Sequence, residues 1–426
     1  MASSLQAATD TSRLEFRPYR SCSNQDLEGR IRAVKARLGD ELLVLGHHYQ
    51  QDEVYQFADL TGDSFKLSRM AADNRDCRWI VFCGVHFMAE TADILANAPP
   101  HPSPPPQEGK ESDAPPHPSP PPQGGREFDL SPSPLMGEGR GGGDRGRRLD
   151  EENRVHVILP DLGAGCSMAD MAELEQVEAC WDEMAACIDV DDVMPVTYIN
   201  SAADLKAFCG ARGGIVCTSS NAAAVLKWAF ARRRRVLFFP DQHLGRNTAK
   251  AMGIPLEEMV VWDPYEPRGG NTEGEIERAR VLLWKGHCSV HQMFQPEHVH
   301  LFREKYPGIK VLVHPECMME VVDLADYVGS TEYILRTVRE APAGSKWAVG
   351  TELHLVNRLK NEHPEQEVHF LSPMVCMCAT MYRIDLAHLC WSLENLAQGT
   401  PTNLIRVPDD VAHNARAALD RMLEVV

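Results

Sequence analysis

The sequence has few basic residues, no long apolar run, and neither a C-x-x-C pair nor an H-x-E followed by a C-x-x-C pair. Its 426 residues carry 43 Lys and Arg against 61 Asp and Glu, a formal net charge of -18. Broad binding to a nucleic-acid backbone is excluded, because such affinity comes mainly from basic side chains that neutralise phosphates. The arginine run at residues 232–235 is a local exception, and its place just before an apolar strand pattern favours a solvated helix end.

Two further absences concern location. No stretch approaches the roughly 20 apolar residues that a membrane helix needs. Residues 1–12 lack the basic start and apolar core of a secretory signal. We therefore expect a cytoplasmic protein that binds neither membrane nor nucleic acid. With 43% hydrophobic and 24% charged residues, the composition is typical of a globular enzyme with two or three domains. In such a chain, 13 cysteines indicate thiols or metal ligands rather than disulfides.

Three cysteine positions stand far apart in small, loop-forming surroundings, one in each third of the globular chain. They are Cys166, Cys288 and the pair Cys376 and Cys378. A set that converges from three segments suits a metal cluster with one coordination position free of cysteine, whereas most iron–sulfur clusters have four thiolate ligands. The spacing alone leaves the choice between Cys376 and Cys378 open.

Residues 98–153 break the globular pattern. They are rich in Pro, Gly and Ser, and residues 98–107 recur as residues 114–123. Such a composition cannot bury enough apolar surface to offset chain entropy, so we predict a disordered insertion. A proline-motif ligand is the alternative. A long insertion is tolerable, because loop-closure entropy grows only logarithmically with length.

Elsewhere, short β-branched runs alternate with helix-like stretches. Predicted strands cover residues 42–45, 79–82, 155–159, 195–199, 214–216, 236–239, 311–313 and 368–370. Predicted helices cover residues 64–72, 168–185, 222–231, 272–283 and 331–339. This alternation predicts an α/β fold of parallel sheets covered by helices.

The sequence also repeats itself. His47 is followed by Asp63 and Ser64 at the same spacing at which His314 is followed by Ser330 and Thr331. A weaker third copy starts at residues 198–200 and reaches residues 218–220. Three similar βαβ units would bring three strand ends and three helix starts around one axis, where parallel α/β units bind their ligands.

An ordered set of motifs gives the sharpest indication. The motifs are His47-His48-Tyr49-Gln50, Thr61-Gly62-Asp63-Ser64, residues 82–90, Gly165-Cys166-Ser167-Met168-Ala169, Tyr198-Ile199-Asn200, Thr218-Ser219-Ser220-Asn221, residues 286–291, His314-Pro315-Glu316-Cys317 and Cys378-Ala379-Thr380-Met381. In this order, from about residue 37 to 396, the chain resembles the quinolinate synthase family.

The resemblance implies three Rossmann-like, three-layer αβα domains around a pseudo-threefold axis, with the active site and a 4Fe-4S cluster at the centre. It implies condensation of iminoaspartate with dihydroxyacetone phosphate to quinolinate, phosphate and water, in the de novo route to NAD. An aspartate oxidase or dehydrogenase would supply the iminoaspartate.

The corresponding domain boundaries are predicted as follows. An N-terminal extension covers residues 1–36, and three α/β domains cover residues 37–166, 167–288 and 289–378. The insertion at residues 98–153 belongs to the first domain. A C-terminal helical segment covers residues 379–426.

By resemblance, Cys166, Cys288 and Cys378 are the cluster ligands. Cys378 is preferred to Cys376 because it stands three residues before Met381, as in the family's closing motif. The iron without a cysteine ligand would act as a Lewis acid in the dehydration steps. Two other cysteines, Cys83 and Cys217, fall in motifs that the family does not use for iron.

The resemblance also implies roles for polar residues. The catalytic candidates, suited to general acid–base work, are Tyr49, Tyr198, His314 and Glu316. The substrate-binding candidates are His47, Ser64, Asn200, Ser219, His291, Ser330 and Thr331. For each hydroxyl residue at a helix start, an ordinary N-cap is the alternative. We expect Asp63 to cap or orient, because a charged carboxylate repels an anionic substrate.

Two other classes of protein stay open at this stage. Cys288 and His291, with His314 and Glu316, could form the zinc site of a hydrolase or deaminase. A regulator with a labile cluster that senses oxygen or iron is the second alternative. Against it, the sequence has neither a basic recognition helix nor an appended binding domain.

Overall fold

The structure, a computed structural model, describes residues 13–74, 76–97, 154–374 and 377–425, with the backbone of residues 127–128. The strands are β1 (Leu42–His47), β2 (Leu60–Gly62), β3 (Trp79–Cys83), β4 (Glu127–Phe128), β5 (His156–Ile158), β6 (Val193–Tyr198), β7 (Ile215–Cys217), β8 (Arg235–Phe239), β9 (Met259–Trp262), β10 (Val281–Trp284), β11 (Lys310–Val313), β12 (Tyr327–Val328), β13 (Lys346–Gly350), β14 (Glu367–Phe370) and β15 (Leu404–Ile405).

Helices alternate with these strands. They are α1 (Asn24–Leu38), α2 (Asp52–Tyr55), α3 (Ser64–Asp73), α4 (His86–Ala96), α5 (Leu174–Ala185), α6 (Ala203–Ala211), α7 (Ala222–Phe230), α8 (Gln242–Ala251), α9 (Glu273–Arg278), α10 (Pro296–Lys305), α11 (Met319–Leu324), α12 (Thr331–Arg339), α13 (Leu353–Glu362), α14 (Leu386–Ala397) and α15 (Asp409–Glu424). Within the described ranges, no helix has both the length and the apolar character needed to cross a bilayer.

The strands form three five-stranded sheets. Their orders are β15-β5-β3-β1-β2 in the first sheet, β7-β6-β8-β10-β9 in the second and β14-β13-β11-β12-β4 in the third. Four strands of each sheet share one order, which is β5-β3-β1-β2 in the first sheet, β10-β8-β6-β7 in the second and β14-β13-β11-β12 in the third. Counted along the chain, the first of these four lies between the second and the third, and the fourth lies beside the third. All pairs among these four are parallel, and β15 alone among the described strands pairs antiparallel, with β5. The predicted α/β class with parallel sheets flanked by helices is confirmed.

Burial on both faces explains why the central strands are apolar throughout. Every residue of β6, β8 and β10 is buried, as expected for parallel strands covered by helices on each side. In the third sheet, Val311 and Val313 of β11 face one apolar cluster, whereas Leu312 faces another. This alternation follows from the two-residue period of a strand.

All eight predicted strands are found, with shifts of one or two residues at their ends. The predicted helix at residues 272–283 is wrong in its second half. There α9 ends at Arg278, and the apolar residues Val281–Trp284 form β10 between β8 and β9. A short apolar run of this kind suits a buried strand as well as a helix, and the sheet decides between them. The predicted helix at residues 168–185 is also shorter, since α5 begins at Leu174.

The repeated helix starts are confirmed. Asp63 caps α3 by accepting a hydrogen bond from Lys66 N at 2.9 Å, and Ser330 caps α12 by accepting one from Tyr333 N at 3.3 Å. In the third copy, Asn221 precedes α7, and its Oδ1 accepts from Thr218 N at 2.8 Å. Each interaction satisfies a backbone donor near the start of a helix.

The predicted disorder of residues 98–153 lies outside the described residues, except at β4, which pairs in parallel with β12. The two ends of this insertion are held together. Asn97 Nδ2 donates to Val155 O at 2.9 Å, and Val155 N donates to Asn97 Oδ1 at 2.9 Å. Arg154 also pairs with buried Asp93 at 2.8 Å. The residues that flank the insertion therefore meet at one point beside the first sheet.

The C-terminal helices pack on the first two sheets. α14 lies against α1, where Arg30 donates to both carboxylate oxygens of Glu394 at 2.9 and 2.6 Å. α15 lies against α6 and β7. The approach of α15 to α6 is so close that a Cβ on Gly210 would stand 1.8 Å from Asn414 O. Glycine is therefore required at this contact.

Candidate active site

A cavity lies where the loops after the parallel strands meet. Its walls come from all three sheets. Among the predicted site residues, those that line it are His47, Tyr49, Ser64, Cys166, Tyr198, Asn200, Ser219, Cys288, His291, His314, Glu316, Thr331 and Cys378. A concave site at the carboxyl ends of parallel strands is where α/β folds bind small molecules.

The three predicted cysteines occupy corresponding places. Cys166 follows β5, Cys288 follows β10 and Cys378 follows β14. In each sheet this strand is the fourth, along the chain, of the four strands that share one order. All three are free, half-buried thiols that line the same cavity. Cys376 lies outside the described residues, so the prediction that Cys378 rather than Cys376 is the ligand stays a prediction.

Burial disfavours the charged form of these thiols. Burial raises the pKa of Cys166 to about 12, and a charge on Cys378 adds to the rise. Burial also raises the pKa of Cys288 well above its ordinary value, with added contributions from Glu316, Cys166 and Cys378. Three neighbouring thiols in one buried cavity are a donor set that fits an iron–sulfur cluster, because a bound metal stabilises the thiolate form that burial opposes.

Glu316 is the centre of a buried acid–base network. Tyr198 Oη donates to Glu316 Oε1 at 2.5 Å, and His291 Nδ1 contacts Glu316 Oε2 at 2.8 Å. The His314 ring stacks on that of His291 with centroids 4.5 Å apart. Burial by itself raises the pKa of Glu316, but His291, His314 and the hydrogen bonds lower it below its ordinary value. The carboxyl is therefore charged at neutral pH.

Tyr49 extends this network toward a helix start. Its hydroxyl lies 2.9 Å from Thr331 Oγ1 and 2.9 Å from Thr351 Oγ1. Thr351 Oγ1 in turn lies 3.2 Å from His291 Nε2. Burial, and then the charge of Glu316, raise the pKa values of Tyr49 and Tyr198 well above the ordinary value. Both phenols therefore keep their protons.

Two strand-end histidines are held neutral. Burial lowers the pKa of His47 and of His314 to about 3 in each case. His47 Nδ1 accepts a hydrogen bond from Tyr49 N at 3.1 Å, and His314 Nδ1 accepts one from Glu316 N at 3.4 Å. In both rings the proton is therefore on Nε2, which makes that nitrogen a donor.

The remaining predicted residues differ in their access to the cavity. Asn200 lines it with a buried Oδ1 that has no hydrogen-bond partner among the described residues. Ser64 and Thr331 begin α3 and α12, and Ser219 lies in the loop before α7. Ser330 is not among the residues that line the cavity, and its hydroxyl caps α12.

Sequence reasoning missed Thr351 and Glu352. They follow β13, a strand that the sequence pattern did not reveal, so its end was not considered as a source of functional groups. Both are completely buried, and Glu352 lines the cavity. The internal repeat of the sequence could have indicated these two residues. They follow β13 in the third sheet as Asp241 follows the equivalent strand, β8, in the second sheet.

Comparison with known proteins agrees with this geometry. The chain matches the family described as NadA, quinolinate synthetase A protein, over residues 29–101 and 149–424. The chain belongs to this family. It is 59% identical over 411 residues to a quinolinate synthase of Rhodopirellula baltica, with 96% of this chain and 93% of the relative covered. It is 50% identical over 410 residues to one of Acidobacterium capsulatum, covering 96% and 95%.

Family membership decides between the classes that the sequence left open. The protein is an enzyme of the quinolinate synthase type and acts in NAD biosynthesis. The sensor alternative is therefore wrong. Cys288, His291 and Glu316 do place ligand atoms within 4.8 Å of one another, so this corner of the cavity is compatible with a metal. The gap in the family match, residues 102–148, falls within the Pro-rich insertion.

Proposed function

We propose that the enzyme condenses iminoaspartate with dihydroxyacetone phosphate to form quinolinate, phosphate and water, with a 4Fe-4S cluster held by Cys166, Cys288 and Cys378. One observation carries the proposal: three thiols from three different sheets line the same cavity as the Glu316 network. When bound, the cluster would supply a Lewis acid at the iron that has no cysteine ligand, which suits reactions in which water leaves.

Substrate binding is assigned to the helix starts and to Asn200. Both substrates are anions, and the first turns of α3 and α12 offer hydroxyl groups, free backbone N–H groups and the positive end of a helix dipole. Ser64 and Thr331 line the cavity at these starts, and Ser219 lines it in the loop before α7. Asn200 Oδ1, which has no hydrogen-bond partner within the part of the chain that the structure describes, is an acceptor that suits a substrate hydroxyl or amino group.

Proton transfer is assigned to Glu316 and the two tyrosines. Condensation requires removal of a proton beside an imine or carbonyl, and a charged, buried carboxylate can accept it. Tyr198 and Tyr49 keep their protons and can donate to oxygen as hydroxide leaves. His314 and His47 present Nε2–H groups that would orient substrate oxygens, since neither ring is protonated at neutral pH.

We also propose that the three sheets correspond to three similar domains around a pseudo-threefold axis that passes through this cavity. The shared strand order supports the proposal. Iminoaspartate hydrolyses readily because it is an imine, so we expect a flavin- or nicotinamide-dependent enzyme that oxidises aspartate to supply it.

The decisive experiment is anaerobic purification followed by iron, sulfide and zinc analysis and a quinolinate assay with both substrates. We expect about four irons with matching sulfide per chain, brown colour and turnover that needs both substrates. A colourless protein with one zinc would contradict the cluster assignment, and so would quinolinate production by a metal-free preparation.

A further inference from the structure

Two of the loops that carry the acid–base residues are each held by a helix of a different sheet. The loop after β11 carries His314 and Glu316, and the loop after β1 carries His47 and Tyr49. The first of these loops, in the third sheet, is contacted by α8, which follows β8 of the second sheet. The other, in the first sheet, is contacted by α13, which follows β13 of the third sheet.

Asn247 of α8 makes the contact to the Glu316 loop. Its Nδ2 donates to Pro315 O and to Cys317 O, in both cases at 2.8 Å. These carbonyls belong to the residues on either side of Glu316, and the asparagine is 1% exposed. Because buried carbonyl groups need hydrogen-bond partners, the two bonds fix the course of the backbone at Glu316.

The partners of this amide define what the position requires. Both are carbonyl oxygens, which only accept, so the nitrogen of Asn247 has to face them. Its Oδ1 has no hydrogen-bond partner within the ranges that the structure describes. The position therefore uses the two donors of the amide, which neither aspartate nor leucine would supply.

Arg358 of α13 holds the other loop in the same way. Its Nη1 donates to His48 O at 3.0 Å, and its Nη2 donates to Gln50 O at 2.8 Å. Here the carbonyls lie on either side of Tyr49. Asn247 and Arg358 are each the sixth residue of their helix. The same arrangement at equivalent places in two sheets argues against a chance contact.

The place of α8 matters because the partners of Glu316 also belong to the second sheet. Tyr198, at the end of β6, donates to Glu316 Oε1 at 2.5 Å, and His291, in the loop after β10, contacts Oε2 at 2.8 Å. Asn247 thus ties the carboxylate's loop to the sheet that carries both partners. A backbone shift of about 1 Å would lengthen these contacts beyond the hydrogen-bond range.

We propose that Asn247 is a positioning residue for Glu316. By holding the two flanking carbonyls against the second sheet, it keeps the carboxylate in contact with its tyrosine and histidine partners. Asn247 is not among the residues that line the cavity, so it acts only through the loop. The inference rests on the proposed role of Glu316 as the proton acceptor.

The test is Asn247→Leu, which keeps the approximate size of the side chain and removes both donors. Asn247→Ala is the second variant, because its smaller side chain introduces no new contact. In the anaerobically prepared full chain, each should lower kcat about ten- to a hundredfold, since a misplacement of about 1 Å costs up to this factor. Iron content should be unchanged, and the KM values should change by less than about twofold, because substrate-binding groups are retained.

The same substitutions in a Glu316→Gln background separate positioning from a general effect on the fold. If Asn247 acts through the carboxylate, the double variant should lose less than about twofold in kcat relative to Glu316→Gln alone, because residues that act as a unit are not additive. A further loss of about tenfold or more in the double variant would overturn the inference.

Lys250→Met is the matched control, because Lys250 lies on the same helix and contacts the same neighbouring sheet's elements. Its Nζ pairs with Asp323 of α11 at 2.6 Å rather than with the loop. This variant should keep the kcat of the unchanged enzyme. Unchanged kcat in both Asn247 variants, or failure of both to fold, would overturn the inference. If Glu316→Gln alone keeps full activity, the proposed role of Glu316 fails instead, so the two failures are distinguishable.

Discussion

The two sides of the cavity differ in how complete they are without a ligand. On the acid–base side, Glu316 contacts Tyr198 and His291 directly, and Thr351 links His291 to Tyr49. The contact distances are 2.5 to 3.2 Å. On the cysteine side, three thiols face one cavity with raised pKa values and few partners. The first side is organised by hydrogen bonds within the protein, whereas the second offers three thiols that fit the proposed cluster.

The difference has a physical origin. Hydrogen bonds among buried polar groups strengthen each other at low dielectric, so a closed network can fix its members in place. Thiols are weak hydrogen-bond partners and gain their position from the metal that binds them. Substitutions on the two sides should therefore separate cluster retention from proton transfer.

The largest effect is expected for Cys378→Ser. This variant should retain no intact cluster and should lose at least about 1,000-fold in kcat, because the metal supplies several kcal/mol of charge stabilisation. Cys376→Ser and the control Cys187→Ser, a half-buried thiol outside the cavity, should keep both. Iron and sulfide content with the quinolinate assay provides the measurement. Loss of the cluster in Cys376→Ser instead would exchange the assignments of the two cysteines.

Glu316→Gln should give the next largest effect. Removing the buried base should lower kcat about 100- to 10,000-fold, while iron content and visible absorbance stay those of the unchanged protein. A cluster that disappears in this variant would mean that Glu316 acts as a metal ligand together with Cys288 and His291. The contrast with Cys378→Ser then separates the two sides of the cavity directly.

Tyr198→Phe should have a smaller effect with a defined pH dependence. The tyrosine hydrogen bond favours charged Glu316, so its removal raises the pKa of that carboxyl, and activity is lost at higher pH on the acid side of the profile. We expect roughly a tenfold decrease in kcat from loss of one proton donor. Tyr19→Phe is the matched control, since Tyr19 donates to Glu394 far from the cavity. An unshifted acid limb in Tyr198→Phe would contradict the role.

His47 makes the stability of the cluster-free protein depend on pH. Its pKa is about 3 in the folded chain against an ordinary value of 6.5, so the unfolded chain binds a proton in this interval and the folded chain does not. The free energy of unfolding that this difference contributes is fully present above pH 6.5. It is lost as the pH falls toward 3, by up to about 1.4 kcal/mol per pH unit for this group. In denaturant unfolding, the free energy of unfolding of His47→Asn should fall less steeply with decreasing pH than that of the unchanged protein. The control His413→Asn, at an exposed position, should keep the slope of the unchanged protein.

The smallest effect is expected from deletion of residues 99–150. Asn97 and Val155 hold the two ends of the segment together, and within it only β4 of the described strands pairs with a sheet. Iron content and turnover should be nearly unchanged. A loss of both on deletion would show that the segment supports the third sheet at β12.

The particular elements show where sequence reasoning succeeded. The strands that end in His47, Tyr198 and Cys217 were predicted because β-branched runs precede polar, cap-forming residues, and these signals are local. β13 and β10 were missed because neither carries a distinctive pattern and each is defined by its neighbours in the sheet. The end of β13 carries Thr351 and Glu352, so the missed strand also hid two residues of the site.

The sequence by itself determined the parallel α/β class, the repeated helix starts, the three cysteine-bearing segments and the family. These depend on spacing along the chain, which a sequence records directly. Only the tertiary structure decided that Tyr49 contacts Thr351 and that Glu316 is charged between His291 and Tyr198. Such properties depend on burial and on distances between residues that are remote in sequence, and packing alone sets both.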